Sequence, residues 1–378
     1  MSKKFKILFI SNILAPSRAL FFSEWGKYVD LTVLVELDGA VSRDLSWKSN
    51  KYENFTCIFL HESVFNGDNT SFGIGVVKYI ANNFDMFDYI VFGVYTDPSQ
   101  CLAIEFCRFK NIPFIISDDG SFFTHGKVFV NIIKKQLLKS ASACITTSDY
   151  SIETLRRYGY NGAIYKYPLS SVRVSDIYND QDSLNSSSYK KILGISEKKI
   201  VLSIGKYIYG KGFDILLKSM ADIRLADIGI YIIGGNVTKE YKSIVERNNI
   251  KNVHFIPFQT AEKIKQYLRA ADCFVLPTRV DVWGLVIIEA LSQGVPVITT
   301  NMCLAGVELI TQGENGYIVP VDNYIALREK IYSIICNDYL AMKMKENNLA
   351  KAYDYTVEKM VEVHNRIFSL IDNEGRHI

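Results

Sequence analysis

The chain has 378 residues, 48% of them hydrophobic and 22% charged, with a formal net charge of +3. That composition is of a folded globular protein, the near-neutral balance argues against a nucleic-acid partner, and the length exceeds one ordinary core, so two domains are expected. No unbroken apolar stretch of about 18 residues predicts a membrane-spanning helix, and the seven cysteines show no CxxC pair or Cys/His zinc spacing, as expected of reduced thiols in the cytoplasm.

Basic residues precede the first apolar run, 5–11, but the run is short and ends at Ser11-Asn12 without a small-residue cleavage site. It reads as a first strand rather than a signal peptide. Similar runs follow at 31–36, 89–95, 113–117, 143–147 and 163–167, with helical spacing between them at 98–110 and 127–140. This alternation predicts a parallel sheet covered on both faces. Residues 169–198 are rich in Ser, Asp and Asn and break the rhythm. The pattern restarts with a strand at 199–205, a glycine-bearing loop and a helix at 214–220, then strands at 228–233, 253–256, 273–276 and 295–299. From 324 onward the spacing is helical, with Leu327, Ile331, Ile334 and Ile335 on one face and Met360, Val363, Ile367 and Leu370 on another. The expected architecture is α/β. It has a doubly wound domain at 1–168, a linker at 169–198, a second doubly wound domain at 199–355, and a terminal helix at 356–378 packing back toward the first. A ligand cleft lies between the carboxyl ends of the two sheets.

Three stretches carry candidate chemistry. In Gly205-Lys-Tyr-Ile-Tyr-Gly-Lys-Gly-Phe-Asp214 the glycines allow tight turns before a helix, and Lys206 and Lys211 would add charge beside a diphosphate. The plainer alternative is a surface loop with two solvated lysines. Asp281 and Glu289 stand eight positions apart. On one helix that would be about 12 Å of rise, too far to share a proton and suited to accepting from hydroxyls at two ends of a long ligand. Backbone amides of Gly284, Leu285 and Val286 would meet the phosphates between them. The alternative is a helix cap followed by an exposed Glu, although Glu289 lies in an apolar helix start where an ionisable group needs a partner. In the first half, Pro16, Ser17 and Arg18 follow strand one, where Arg18 would meet an acceptor or donor phosphates or be an ordinary surface residue. Asp119 and His125 follow another strand, where Asp-Gly is first a turn signal and a lone His is more often structural. Residues 127–140 are basic and apolar at helical spacing and would suit an anionic lipid surface, or serve as a domain helix with lysines outward. Asp180-Gln-Asp182 is the sole Asp-x-Asp, set in the polar stretch, so no metal site is expected.

Residues 205–214, 277–290 (PTRVDVWGLVIIEA), 294–297 (GVPV) and 313–320 (GENGYIVP) together resemble, in fixed order, the retaining family 4 glycosyltransferases of GT-B fold. The first half is similar to bacterial surface-polysaccharide members of that family at Pro16-Ser-Arg18, Phe21-Phe22, 117–123 and 165–168. The resemblance implies two Rossmann-like domains. It implies a UDP- or GDP-sugar donor whose diphosphate is held by Lys206 and Lys211, whose ribose hydroxyls meet Glu289 and whose sugar meets Asp281. It further implies a lipid-linked or oligosaccharide acceptor and no cofactor or metal. The stretch 127–140 separately suggests a cytoplasmic protein associated with the inner face of the cytoplasmic membrane. His125 falls near a sugar-contacting histidine of some relatives. Two positions depart from the usual pattern: Asp281 stands where Glu is usual, and Lys206 replaces a common Arg, trading a bidentate fork for a point charge. Rival readings are an epimerase or phosphorylase on the same fold and a non-catalytic partner subunit.

Overall fold

A computed structural model describes residues 4–37, 53–60, 65–66, 71–123, 128–179, 184–221 and 227–375. The chain divides into two compact units, Met1–Ser171 with Val357–Ile378, and Val172–Thr356.

In unit 1 the strands are β1 (Lys6–Ile13), β2 (Asp30–Leu37), β3 (Thr56–Phe59), a two-residue antiparallel pair β4 (Phe65–Asn66) and β5 (Ser71–Phe72), then β6 (Tyr89–Phe92), β7 (Ile115–Asp118), β8 (Ala143–Thr146) and β9 (Ala163–Lys166). Among the described residues, the main sheet runs β3-β2-β1-β6-β7-β8-β9 with every pair parallel. Ile7, Leu8, Phe9 and Ile10 of β1 are all buried, which a strand covered on both faces requires. The covering helices are α1 (Pro16–Trp25), α2 (Gly75–Asn83), α3 (Pro98–Lys110), α4 (Val128–Lys139) and α5 (Asp149–Arg157). Helix α3 shows the local chemistry that sets such bounds. Asp97 caps it by accepting from Ser99 N at 3.1 Å, Pro98 opens it, and Asn111 ends it in the left-handed region at φ 56°.

Unit 2 begins at Val172, inside the stretch expected to be a linker, because that stretch holds its own helix, α6 (Ser186–Ile192). Helix α6 packs on α9 (Ala261–Ala270), which follows α7 (Phe213–Met220) and α8 (Lys239–Arg247) in the chain. Arg269 donates to Tyr189 Oη at 2.6 Å, and Lys190 pairs with Asp272 at 2.8 Å. A polar sequence hid this element because its anchoring groups are side-chain hydrogen bonds rather than an apolar stripe. The strands β10 (Lys199–Ile204), β11 (Ile228–Ile233), β12 (Val253–Ile256), β13 (Cys273–Leu276), β14 (Val297–Thr300) and β15 (Gly316–Val319) form a parallel sheet in the order β12-β11-β10-β13-β14-β15. Helices α10 (Val286–Ser292), α11 (Leu304–Leu309), α12 (Tyr324–Ile335) and α13 (Asp338–Tyr353) complete the unit. The α12 face expected from the sequence, Leu327, Ile331, Ile334 and Ile335, is buried.

The last helix, α14 (Val357–Asn373), belongs to unit 1 and lies along α1. Its buried stripe is Val357, Met360, Val361, His364, Ile367, Phe368 and Ile371. The expected face is thereby corrected: Leu370 is exposed, and His364 sits mid-stripe. The register follows the aromatic surface it meets, since Phe21, Trp25 and Tyr167 all pack on His364, and Trp25 and Tyr89 on Phe368. Polar ties fix the rotation, with Trp25 Nε1 donating to Asn365 Oδ1 at 3.0 Å and Tyr89 Oη to Asp372 Oδ1 at 2.9 Å. Truncating Phe368 to Ala should cost about 3–5 kcal/mol, because a buried ring leaves a cavity between two helices. Urea unfolding of the full chain, followed through tryptophan fluorescence with Trp47 and Trp283 replaced by Phe so that Trp25 reports alone, would show it as an earlier transition.

Candidate functional site

Unit 2 reverses its winding between β10 and β13. The chain proceeds from β10 to β11 on one side and from β13 to β14 on the other. At such a switch point the loops leaving the two strands part, and ligands of open α/β sheets bind outside these carboxyl ends. The loop after β10 carries Lys206 and Lys211, and the loop after β13 carries Asp281.

The structure brings Lys211 and Asp281 together: Lys211 Nζ donates to Asp281 Oδ2 at 2.5 Å, with both side chains mostly buried. The sequence treats these two as separate ligand contacts, and only the parallel pairing of β10 with β13 makes them neighbours. Asp281 is held by its backbone, its N–H donating to Met302 O at 2.8 Å and its carbonyl accepting from Leu304 N at 3.3 Å. Glu289 lies partly exposed in α10, the helix that follows the Asp281 loop directly, and Lys206 is exposed. Leu285 caps α10 and Val286 opens it.

Two glycines are dictated by geometry. Gly212 has φ 66°, and a Cβ there would lie 2.0 Å from the carbonyl oxygen of Pro277, so only glycine lets the two loops touch. Gly284 has φ 93°, with Cys303 Sγ 2.9 Å from where a Cβ would stand. Gly205, by contrast, is not in the left-handed region, and a Cβ there would meet the Phe213 ring at 3.3 Å.

Arg279, which sequence reasoning passed over, ties the two loops. Its guanidinium forms a fork with Asp214, at 2.9 Å on each side, reaches Asp322 at 2.7 Å and donates to Tyr209 O at 2.7 Å. Its Cζ lies 3.9 Å from the Tyr209 ring centroid. Its backbone N–H and the Thr278 hydroxyl both donate to Gly210 O at 2.7 Å. Burial by itself would raise Asp214, but the Arg279 fork outweighs it and holds that carboxylate below its ordinary range. The available signal was an Arg in a strand-end loop that also holds the Asp281 candidate.

In unit 1, Pro16 is exposed at the start of α1 and Ser17 is partly exposed, but Arg18 turns inward. It lies over the rings of Phe9 and Phe22, 5.5 and 5.9 Å from their centroids, and donates to Asp119 Oδ1. The surface role expected for Arg18 gives way to a buried one, because the apolar wall of β1 and α1 covers its stem. Tyr167 Oη, another group not foreseen, donates to the same oxygen at 2.7 Å. His125, Lys127, Asp180 and Asp182 lie outside the described residues. Among the described residues, no three His, Cys, Asp or Glu side chains gather as metal ligands, and no helix is long and apolar enough to cross a membrane.

Residues 185–351, nearly all of unit 2, match the family described as glycosyl transferases group 1. Solved structures similar to this chain include GT-B glycosyltransferases, among them Anabaena HepE in complex with UDP, with a TM-score of 0.78 at 18% identity over 97% of this chain and 100% of that one. The chain carries a group 1 glycosyl transferase segment on a GT-B fold. An uncharacterized glycosyltransferase of Methanocaldococcus jannaschii is 26% identical over 273 residues, 71% of each chain. The lipopolysaccharide glucosyltransferase WaaG of Escherichia coli is 25% identical over 131 residues, 33% of this chain and 34% of its own. The group 1 match spans Lys206, Lys211, Arg279, Asp281 and Glu289 together.

Asp118, next to Asp119 but pointing inside, offers a pH test of unit 1. Burial pushes its carboxyl up to about 6, against hydrogen bonds from Ser121 and Thr146 that favour the charged form. The native state therefore holds this proton more tightly than the unfolded chain, and its contribution to stability is present below pH 3.8 and lost as pH rises through about 6. That loss is about 3 kcal/mol. Unfolding measured at pH 4 and pH 7 should show wild type losing about 2 kcal/mol relative to Asp118→Asn over the interval; equal losses would show that Asp118 titrates as in the unfolded chain.

Proposed function

We propose that the protein is a retaining hexosyltransferase that moves a sugar from a nucleotide diphosphate donor, a UDP-sugar first and a GDP-sugar second, to a hydroxyl of a lipid-linked or oligosaccharide acceptor in surface-polysaccharide synthesis. The observation that carries this reading is the meeting of Lys211 with Asp281 at the switch point of unit 2, inside the group 1 segment. The UDP bound to Anabaena HepE supports a uridine nucleotide, and relatives named for lipopolysaccharide synthesis support the acceptor class.

Before the donor arrives, Asp281 neutralises Lys211 and keeps its ammonium aimed at the loop junction. A diphosphate entering there competes for Lys211, with Lys206 as a second cation, and frees Asp281 to accept from the donor sugar. Glu289 takes the ribose hydroxyls. As the bond from the anomeric carbon to the diphosphate oxygen breaks, Lys206 and Lys211 stabilise the growing negative charge. The acceptor oxygen bonds to the anomeric carbon on the face the diphosphate leaves, and a phosphate oxygen takes its proton, so neither a metal nor a protein base is required.

Nucleotide release from a panel of UDP- and GDP-sugars, with and without a membrane lipid extract, tests the reading; no release from any donor would overturn it. Lys211→Ala should lower kcat by about 10²–10³, and Glu289→Gln should weaken nucleotide affinity about ten-fold or more, with thermal unfolding checking that each variant is folded. Full turnover by Lys211→Ala would remove that lysine from the chemistry.

Contact with the inner face of the cytoplasmic membrane belongs to the same proposal. On α4, Ile132 and Ile133 are exposed beside the exposed Lys135 and Lys139, a surface that suits anionic lipid. The protein should sediment with phosphatidylglycerol vesicles at low salt and be released at about 1 M salt, where the screening length falls to about 3 Å. Indifference to such vesicles at low salt would refute the contact.

A further inference from the structure

Asp119 leaves the carboxyl end of β7 with one carboxylate oxygen committed and the other open. Oδ1 accepts both from Arg18 and from Tyr167 Oη. Among the described residues nothing donates to Oδ2, and the side chain is 37% exposed. Thr147 Oγ1 donates to the Asp119 carbonyl at 3.1 Å and holds the backbone beneath it.

Both donors are themselves immobilised. Arg18 is boxed by the Phe9 and Phe22 rings. Burial pulls its guanidinium down, and the charge of Asp119 together with the hydrogen bond between them outweighs this. Tyr167 is buried with its ring on His364, 4.6 Å between centroids, and burial pushes its hydroxyl well above the ordinary value, so it stays a donor. His364 in turn is fixed by Met360 O at 2.8 Å. A chain of fixed groups from α14 through Tyr167 thus sets the direction of one carboxylate.

The place of this carboxylate in the sheet matters as much as its rigidity. Unit 1 reverses its winding between β1 and β6. Arg18 comes from just after β1, Asp119 from the end of the second strand beyond the switch, and Tyr167 from just after β9, all at the carboxyl edge where ligands of such sheets bind. The charge balance narrows the ligand. Arg18 gives Nη2 to Asp119 and its Nη1 is buried without a partner among the described residues, so what faces solvent is an acceptor-only oxygen that would repel a phosphate and suits a neutral hydroxyl donor.

We propose that Asp119 Oδ2 accepts a hydrogen bond from a hydroxyl of the carbohydrate acceptor, and that Arg18 and Tyr167 are positioning residues that aim it. This rests on the glycosyltransferase reading above and deepens it. It replaces the expectation that Arg18 itself meets the ligand, and it assigns a role to Tyr167 that its sequence position does not suggest.

The test uses the full chain with UDP-glucose, UDP-galactose and UDP-N-acetylglucosamine as donors, reading UDP release with and without octyl glucoside, octyl galactoside or a membrane lipid extract as acceptor. Asp119→Asn should lower the ratio of acceptor-dependent to acceptor-independent release ten-fold or more, with Asp119→Glu recovering part of it. Tyr167→Phe should raise the acceptor KM three- to ten-fold with kcat held within two-fold, a split that a merely structural role would not produce. Thermal unfolding checks each variant, and Tyr167→Phe carries the test if Asp119→Asn does not fold. An unchanged ratio in folded Asp119→Asn, an unchanged acceptor KM in Tyr167→Phe, or donor hydrolysis that none of these hydroxyl acceptors accelerates would overturn the assignment alone. No UDP release by wild type from any of the donors would sink the glycosyltransferase reading and this inference with it.

Discussion

Parallel pairing of β10 with β13 is the constraint on which the chemistry of unit 2 depends. These strands are some 70 residues apart in the chain, yet their adjacency brings two loops to one edge and sets Lys211 against Asp281. A side-chain staple reinforces the pairing from within the sheet, Ser203 Oγ donating to Val275 O at 2.6 Å, and Thr299 Oγ1 ties the next strand, β14, to β13 through Leu276 O at 2.9 Å. Arg279 then locks the loops above the strands. Its bidentate fork with Asp214 is geometrically specific in a way a lysine would not be, and its face against the Tyr209 ring uses the remaining surface of the planar group. The result is a preorganised pair of opposite charges whose positions owe little to their own flexible side chains.

Unit 1 solves a different problem, how to keep a cation inside an aromatic core. Burying Arg18 is costly unless it is paired. Asp119 supplies the countercharge, and the rings of Phe9 and Phe22 supply the rest of its surroundings. The neighbouring His364 completes the arrangement by staying neutral: burial and the charge of Arg18 depress it to about 3. A charged imidazole there would put two cations in one core. Because His364 comes from α14, the end of the chain takes part in holding the carboxyl edge of the first sheet in place.

Much of the candidate site is legible in the sequence. Lys206, Lys211, Asp281 and Glu289 stood out because lysines in a glycine loop and an acid in an apolar helix start are each unusual in their setting. What could not be read was their mutual geometry. The Lys211–Asp281 contact depends on strand order, and strand order is not written in local periodicity. Tyr167 and Arg279 escaped notice for a related reason: each acts through a partner, Asp119 or Asp214, that is distant in sequence. Arg18 reads from the sequence as facing outward, since nothing local says whether an arginine after a strand turns to water or under its own helix.

By itself, then, the sequence determined the α/β class, the repeat of the doubly wound pattern, and the bounds of most central strands, because buried parallel strands are short apolar runs whose character is local. β11, β12 and β13 fall where the pattern placed them. The tertiary structure decided three other things: that the polar stretch before β10 folds into α6 and joins unit 2, that α14 turns His364 rather than Leu370 inward, and that Asp119 is aimed by two buried donors. Each of these turns on contacts between residues far apart in the chain, where the energy comes from pairing polar groups and filling aromatic surface, and neither leaves a period in the sequence.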